Sequence, residues 1–510
     1  MRTNFLFLPL LLLCSLVRAQ DTLVNAQAEH FRQQYRFYHT AVITQPLRPL
    51  LRYAQVEGGY GQTGGDYMLA QDAEKKAGFF FQTEGTRSVK KWLVSGVFAY
   101  RNTRQDSIGY TLRDALYDPA PYYFYAGKKG NWQSIGYNLQ GIISRPFLQD
   151  RFTAAAGITY QSTDGWRSND PRPEYFTYHL VADASLLYRV RPGHQVGLGG
   201  GWIRKNTDSN FEYRKKDYQF SFTLPEYIAY MQDGYGYIEL KTGSNTDIAS
   251  DVKGWKLDGV YDGHTGIGNF TLKGGYTRTN SSFYDKGQYL NEHRFTYGYF
   301  HETEWTGNAL WQYRQGAALW SATTQYQRHE GRDYNNLLAG NNYVYTLESA
   351  GITPLFSHYK GRRLQYELGL EGALTDLFRA DGSAGQTAEY QYAAAGAMAA
   401  WYAPLAGGRQ TLKLLLRGQR QMPVSSTITQ PGQQPAFTQA VIFRDYYYYG
   451  ATVTTLQAEA DYRFSLHQAH TFVKAGALYR RASLEPYTVP ASSLPGVVRW
   501  QWQLSTGLTF

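Results

Sequence analysis

The sequence predicts an all-β protein, a single transmembrane antiparallel β-barrel. Three observations carry that expectation. An apolar leader is followed by no further stretch fit to be a membrane helix, apolar and polar residues alternate along most of the chain, and the last strand ends on a phenylalanine.

Arg2 precedes an apolar run from Phe5 to Leu13, and Val17-Arg18-Ala19 puts apolar or small residues at the −3 and −1 positions. That is the pattern of a secretory signal peptide cut after Ala19, so residues 1–19 are read as the signal. Cys14, the only cysteine, follows Leu13 rather than a small residue, which disfavours cleavage as a lipoprotein. It leaves with the signal, which excludes disulfides, thiolate metal ligands and cysteine nucleophiles from the mature chain. Beyond residue 20 no apolar run approaches the about 18 residues of a membrane helix, and the mean hydropathy is −0.49.

Aromatic residues reach 16%, with 45 Tyr and 11 Trp, and there are 51 Gly. Charged residues make up 18%, against about 25% in ordinary globular domains. Tyr and Trp suit a membrane boundary, because one end of the ring is apolar and the other hydrogen-bonds. A large secreted sandwich or propeller would also be rich in Tyr and Gly, so periodicity has to decide.

A barrel wall meets lipid on one side and a wet lumen on the other, which demands alternation along each strand. Ile135, Tyr137 and Leu139 alternate with Ser134, Gly136, Asn138 and Gln140. Phe152, Ala154, Ala156, Ile158 and Tyr160 alternate with Thr153, Ala155, Gly157, Thr159 and Gln161. Phe176, Tyr178, Leu180, Leu186 and Tyr188 share a face opposite Thr177, His179, Asp183, Ser185 and Arg189, and Leu364, Tyr366, Leu368 and Leu370 oppose Gln365, Glu367 and Glu371. The polar faces are mostly Gly, Ser, Thr, Gln and Asn, whereas a soluble sandwich exposes a charge-rich face. At the C-terminus Trp500, Trp502, Leu504, Thr506, Leu508 and Phe510 form one face, the kind of terminal strand that outer-membrane barrels present to their assembly machinery.

Candidate strands are 52–60, 75–85, 89–101, 132–143, 151–162, 176–190, 194–205, 211–223, 226–241 and 255–262, then 268–278, 293–313, 317–329, 343–358, 362–374, 387–402, 409–420, 446–464, 469–482 and 499–510. Tight connections such as Val190-Arg191-Pro192-Gly193, Thr223-Leu224-Pro225-Glu226, Lys360-Gly361-Arg362 and His467-Gln468-Ala469-His470 alternate with long ones, including 102–131 and 421–445. Short periplasmic turns alternating with long extracellular loops give an even count of about 20 strands, within a range of 18–22. The expected division is a signal at 1–19, a short periplasmic segment at 20–50 in which Thr22 to Tyr38 could form a helix, and the barrel at 51–510. The 20–50 segment is too short for a folded plug domain, so the barrel is expected to be open or obstructed by its own loops.

The run Tyr53 to Gly59, the Gly58-Gly59-Tyr60 turn, the Gly96 to Tyr100 strand, Pro121-Tyr122-Tyr123, the Asp170-Pro171-Arg172-Pro173 loop and Gly197-Leu198-Gly199 resemble an uncharacterised family of Bacteroidota outer-membrane β-barrels, a domain of unknown function. The resemblance covers roughly residues 50–510 and implies location and fold. It offers no activity and no site residues.

Function is therefore expected to be that of a channel or passive transporter for an unidentified solute. The alternative is a non-enzymatic scaffold or partner subunit of an uptake or envelope complex, and a rim hydrolase ranks third. No catalytic, cofactor-binding or metal-ligating residue is assigned, and no cofactor is expected. His179 and Asp183 stand four residues apart on one face, about 13 Å along a strand, too far for a base and its orienter. His264 and His467 fall in expected turns, His194 starts a strand, and His329 neighbours Glu330 on the opposite face. A lone interfacial His is ordinarily a solvated side chain. Gly197-Leu198-Gly199-Gly200-Gly201 could suggest a phosphate cradle, but Gly within a strand more often marks bends or close packing.

Removing Arg2 and Arg18 leaves 49 basic against 41 acidic residues, a net of +8. Lys128-Lys129, Arg214-Lys215-Lys216 and Arg480-Arg481 lie towards expected loops or strand ends, where outer-membrane lipids and lipopolysaccharide phosphates are the expected partners; nucleic acid is not. Inward-facing Glu302, Glu304, Glu367, Glu371, Glu459 and Asp461 would favour cations, and loop 421–445, with Pro423, Pro431 and Pro435, could fold inward over the mouth. The remaining expected partners are the barrel assembly machinery, through the strand ending at Phe510, and an envelope protein.

Overall fold

The computed structural model describes residues 27–47, 52–113, 118–236, 238–240, 246–290, 293–406, 409–429, 436–466, 469–484 and 494–510. Helix α1 (Glu29–His39) comes first. It is followed by β1 (Arg52–Gly65), β2 (Lys75–Val89), β3 (Trp92–Ile108), β4 (Tyr122–Tyr125), β5 (Gly130–Phe147), β6 (Phe152–Arg167), β7 (Arg172–Arg191), β8 (His194–Glu212), β9 (Tyr230–Asp233) and β10 (Ile238–Leu240). The wall continues through β11 (Thr246–Thr265), β12 (Gly268–Leu290), β13 (His293–Gln315), β14 (Ala318–Asn335), β15 (Tyr343–Lys360), β16 (Arg363–Asp381), β17 (Gln386–Leu405) and β18 (Gln410–Thr429). Helix α2 (Phe443–Tyr449) precedes β19 (Thr452–Leu466), β20 (Ala469–Ser483) and β21 (Val498–Thr509).

All but β4, β9 and β10 form one 18-stranded antiparallel sheet. It closes where β1 pairs with β21, from Gln55 opposite Thr509 to Gly65 opposite Arg499. Phe510 extends that seam, its N–H donating to the Ala54 carbonyl at 2.8 Å. Closure leaves no unpaired edge, which a strand-built membrane protein requires.

Exposed apolar side chains belt the outside. On β5, Tyr137, Leu139, Ile143 and Phe147 are each more than 40% exposed or close to it, and all point outward. Tyr137 and Phe147 stand about 33 Å apart along the strand, or about 25 Å once the usual barrel tilt is applied, the height of a lipid-facing band between two aromatic girdles. β12 and β13 run for 23 residues each, roughly twice what a tilted strand needs to cross a bilayer. The wall therefore projects beyond the lipid on the side of the long loops.

Eighteen strands fall at the lower end of the expected range of 18–22, two fewer than the central count. Residues 213–223 and segment 226–241 do not continue the wall, because β8 pairs directly with β11, Phe211 opposite Thr246 and His194 opposite Gly263. The chain between them forms 3-10 turns at Lys216–Phe220 and Pro225–Tyr227, then β9 and β10. Thr223-Leu224-Pro225-Glu226 is thus part of a long loop, and the apolar residues that imitated a strand, Ile228 and Met231, are buried. Residues 446–449 belong to α2 and not to a strand. Gly58-Gly59-Tyr60 lies within β1, where a Cβ on Gly59 would meet the Phe80 ring and the Leu504 carbonyl. Pro423 sits in β18 beside a register shift, as a residue without a ladder donor must. His467 and Gln468, and Pro431 and Pro435, lie outside the described residues.

Candidate functional site

A barrel of 16–18 strands is wide enough to leave an aqueous channel, so what fills this lumen decides what can pass. Residues 27–47 lie inside it, at the end of the short turns. α1 has an acidic first turn (Glu29) and a basic last turn (Arg36, His39), the arrangement favoured by the helix dipole. Ala28 at the N-cap provides no side-chain acceptor. The wall provides it instead: Glu367 of β16 accepts from the Glu29 and His30 amides at 2.7 and 3.1 Å. An anion at a helix N-terminus satisfies N–H groups that would otherwise have no partner.

The same carboxylate lies 2.7 Å from His30 Nδ1 and accepts from Tyr402 at 2.5 Å and Ser357 at 2.9 Å. Arg32 reaches Glu459 at 3.0 Å and Asp461 at 3.6 Å, Lys413 pairs with both Glu29 and Glu459, and Gln27 donates to Asp461 at 3.3 Å. Further along, Tyr38 hydrogen-bonds Thr271 at 2.5 Å, Ile43 packs with Leu187, Val260 and Leu310, and Ser144 donates to Gln45 at 2.7 Å. These partners come from β5, β7, β11 to β13 and β15 to β19, so the segment crosses the whole lumen. The wall makes room for it: a Cβ on Gly157 would stand 2.5 Å from Val42, and one on Gly199 would stand 3.5 Å from Ile43 and 3.0 Å from Ser185.

The loop end is filled differently, by aromatic packing. β4, β9 and β10 form a small antiparallel sheet made entirely from loops. It buries Tyr122, Phe124, Tyr125 and Met231 with Tyr343 and Tyr390 of the wall and with Phe437, Val441 and Ile442 from the 421–445 loop. Buried aspartates hold its turns through backbone N–H groups. Asp333 accepts from the Asn342 and Tyr343 amides at 2.8 and 2.6 Å and from the Tyr122 hydroxyl at 2.9 Å, and Asp445 accepts from the Ala70 amide at 3.1 Å. Burial pushes the Asp445 carboxyl up to about 6, against the opposing pull of that amide, Arg379 and Arg444.

Between the two fillings lies a cavity of about 790 Å³. Its charged lining is largely paired already: Lys205 with Asp118 at 3.0 Å, Lys256 with Asp183 at 3.0 Å, and His329 with Glu302 at 2.9 Å. Burial works against the Asp118 charge, but Lys205 and Arg113 outweigh it and hold this loop carboxyl down at about 2. Trp132, 4% exposed, and Arg113 line the cavity, while the indole N–H of the one and the Nε–H of the other are buried away from it without an acceptor.

The residues singled out in the sequence are dispersed. His179 lines the cavity while Asp183 bonds Lys256, so the two form no couple. His329 pairs across the ladder with Glu302, not with its neighbour Glu330, which holds Arg328. His264 contacts Asn269 at 2.5 Å and His194 contacts Tyr261 at 2.9 Å. The Gly197 to Gly201 run is wall, with no phosphate-cradling turn. Lys129 pairs with Glu74, the Arg214 and Lys215 amides cap Asp170, and Arg480 and Arg481 are exposed at the loop end of β20.

Of the acidic residues expected to line an open lumen, Glu302 and Glu304 face the cavity and Glu371 pairs with Arg417. Glu367, Glu459 and Asp461 are the anchors of α1. Sequence reasoning missed the anchored side, Gln27 to Gln45; its signal was the basic and polar helix sequence Glu29 to His39 ahead of a barrel that offers matching acids. Ser357, His30 and Glu367 lie together, yet His30 Nδ1 already bonds Glu367 and its Nε2 contacts Tyr359 at 2.9 Å. Ser357 Oγ lies 3.3 Å from that Nδ1 and donates to Glu367 at 2.9 Å, so all three side chains, buried beneath α1, take part in docking the helix. Among the described residues no group of three or more His, Cys, Asp or Glu is placed to hold a metal ion.

No curated protein matches the chain. The solved structures it is similar to include the ferric preacinetobactin receptor BauA from Acinetobacter baumannii, 12% identical over 91% of this chain and 80% of that one, with a TM-score of 0.39. The F3-3 variant of the FrpB iron transporter from Neisseria meningitidis is 9% identical over 92% and 84%, with a TM-score of 0.41. The ferric-catecholate import receptor Fiu from E. coli K12, in its open form, is 8% identical over 91% and 82%, with a TM-score of 0.40. The model of a family of unknown function, DUF6850, matches residues 41–510, from the last turns of the lumen segment through the whole barrel, and the chain belongs to that family.

Proposed function

We propose that the protein is an outer-membrane transport barrel that rests closed, with residues 27–47 as the displaceable seal of its turn-side mouth. One observation carries the reading: a lumen wide enough for a channel is crossed by a segment held through ion pairs and hydrogen bonds, chiefly to Glu367, Glu459 and Asp461. The attachment has no covalent tie, so it can be broken and remade, at the cost of separating these buried charges and of lifting Tyr38, Ile43 and Leu47 off Leu187, Val260 and Leu310. An envelope partner would meet the seal at the same turn-side mouth, where Glu29 and His30 are held by Glu367. Outer-membrane lipids and the assembly machinery acting on the Phe510 strand complete the expected surroundings.

The test is conductance in a planar bilayer. The full-length protein is expected to be nearly silent, and a variant lacking residues 20–47 to show stepwise conductance. Silence from both, with the barrels demonstrably inserted, would overturn transport and favour a scaffold or partner-subunit role.

A further inference from the structure

The loop filling contains a cation with no counterion. Arg379 lies near the loop end of β16, and Tyr345 stands opposite it on β15. Its guanidinium carbon sits 5.5 Å from the Tyr235 ring centre and 5.6 Å from that of Tyr345. Among the described residues it makes no hydrogen bond and no ion pair, and the groups that act most on its charge are Tyr343, Tyr235, Tyr449 and Tyr345. Asp445 feels that charge from beyond ion-pair distance. Burial works against its own ionisation, and its carboxyl accepts from the Ala70 amide at 3.1 Å. A cation taken out of water without a hydrogen-bonded partner is unfavourable.

The guanidinium is not sealed in. It lines a recess of about 40 Å³, and of its three nitrogens only Nε is closed off without a partner, so Nη1 and Nη2 keep open surface. The hydroxyls of Tyr343 and Tyr449, which line the same recess, are likewise neither bonded nor closed off. A guanidinium fork matches a carboxylate through two parallel N–H···O bonds, and a phenol adds a further donor. The recess has room for such a group and not for a whole solute. It adjoins the cavity of about 790 Å³, sharing with it Gln71, Arg113, Asp118, Pro119 and Ala120. Asp118 on that border is offset by Lys205 and Arg113. One uncompensated guanidinium with Asp445 behind it balances a single negative charge better than two.

We propose that this recess seats the carboxylate of a monoanionic solute, held by Arg379 Nη1 and Nη2 and by the Tyr343 and Tyr449 hydroxyls, while the neutral body of the solute occupies the adjoining cavity. The inference rests on the transport reading and deepens it by naming the solute class. Full-length protein, in a detergent and buffer free of carboxylates, would be dialysed to equilibrium against radiolabelled gluconate, sorbitol or sorbitol 6-phosphate. The probes share a hydroxylated body and differ in the head group, and dialysis run to constancy allows for slow entry past the seal. Saturable binding of gluconate is expected, at least tenfold tighter than that of the other two. Arg379→Gln is expected to abolish it, and Arg379→Lys, which keeps the charge and loses the fork, to weaken it about tenfold.

A variant with wild-type heat-modifiable migration counts as folded. Should the Arg379 variants not fold, Tyr343→Phe, which removes a hydroxyl alone, takes their place and is expected to weaken gluconate severalfold. No gluconate binding, sorbitol or its phosphate bound as tightly, or gluconate binding unchanged in the folded variants would each overturn the assignment. The two readings separate cleanly. If the full-length protein holds no gluconate while its deletion variant conducts, this inference falls and transport stands, and a gluconate-binding protein whose deletion variant never conducts does the reverse.

Discussion

Glu367 and His30 form the joint on which the lumen seal turns: the carboxylate lies 2.7 Å from the imidazole Nδ1 and also accepts from the His30 backbone amide at 3.1 Å. A barrel side chain thus acts as the N-cap of a helix 337 residues earlier in the chain. Replacing Glu367 with Ala would leave two helix amides, Tyr402 and the imidazole without their acceptor, a loss of about 2–4 kcal/mol. Amide exchange over residues 29–39 is expected to accelerate by at least tenfold and brief conductance steps to appear. Unchanged protection of α1 would contradict the role given to Glu367.

The glycine notches give an independent handle. Gly157→Leu pushes a side chain into Val42, and overpacking of this kind costs about 1–3 kcal/mol. It is expected to loosen the seal with the barrel intact, read as higher bilayer conductance. Gly141→Leu is the control, because a Cβ there meets nothing within 4 Å. Equal conductance from the two variants would rule out Gly157 as a seat for the segment.

Asp445 makes the loop filling sensitive to pH. Its carboxyl titrates near 6 in the fold, against an ordinary value of 3.8. A raised acid favours the folded form when protonated, so the contribution is complete below about pH 4 and is lost as pH rises through 6. The shift corresponds to about 3 kcal/mol at neutral pH. Exchange of the amides over 436–450 should slow on going from pH 7.5 to 5, after correction for intrinsic rates, and Asp445→Asn should flatten that dependence. A wild-type profile in the Asn variant would point to another group.

Assembly should depend on the closing strand. Trp502 is 39% exposed on the lipid side, and an arginine there would cost up to a few kcal/mol according to depth. Trp502→Arg and deletion of Phe510 are each expected to lower the amount of heat-modifiable barrel in membranes. Wild-type amounts in both would sink the prediction.

The lipid face of the wall was legible because alternation is local: Tyr137, Leu139 and Ile143 announce themselves within seven residues. Strand ends at the loop side were read too short, since the ladder continues above the membrane, as from Ser281 opposite Phe300, where no lipid enforces the pattern. The Tyr-rich composition suggested membrane girdles, yet Tyr122, Tyr123, Tyr125, Tyr343 and Tyr390 pack into the loop filling. The seal was illegible for a different reason. Glu367, Glu459 and Asp461 look like free lumen charges until the helix that neutralises them, more than 300 residues away in sequence, is placed among them.

That separation also orders biogenesis. Gln27 meets Asp461 across 434 residues, and Glu29 meets Glu367 across 338. Residues 27–39 therefore have nowhere to settle until β15 to β19 have been laid down. Seating of the helix thus waits on the C-terminal half of the wall, and a barrel that stalls before β19 would leave α1 unseated and its amides open to exchange.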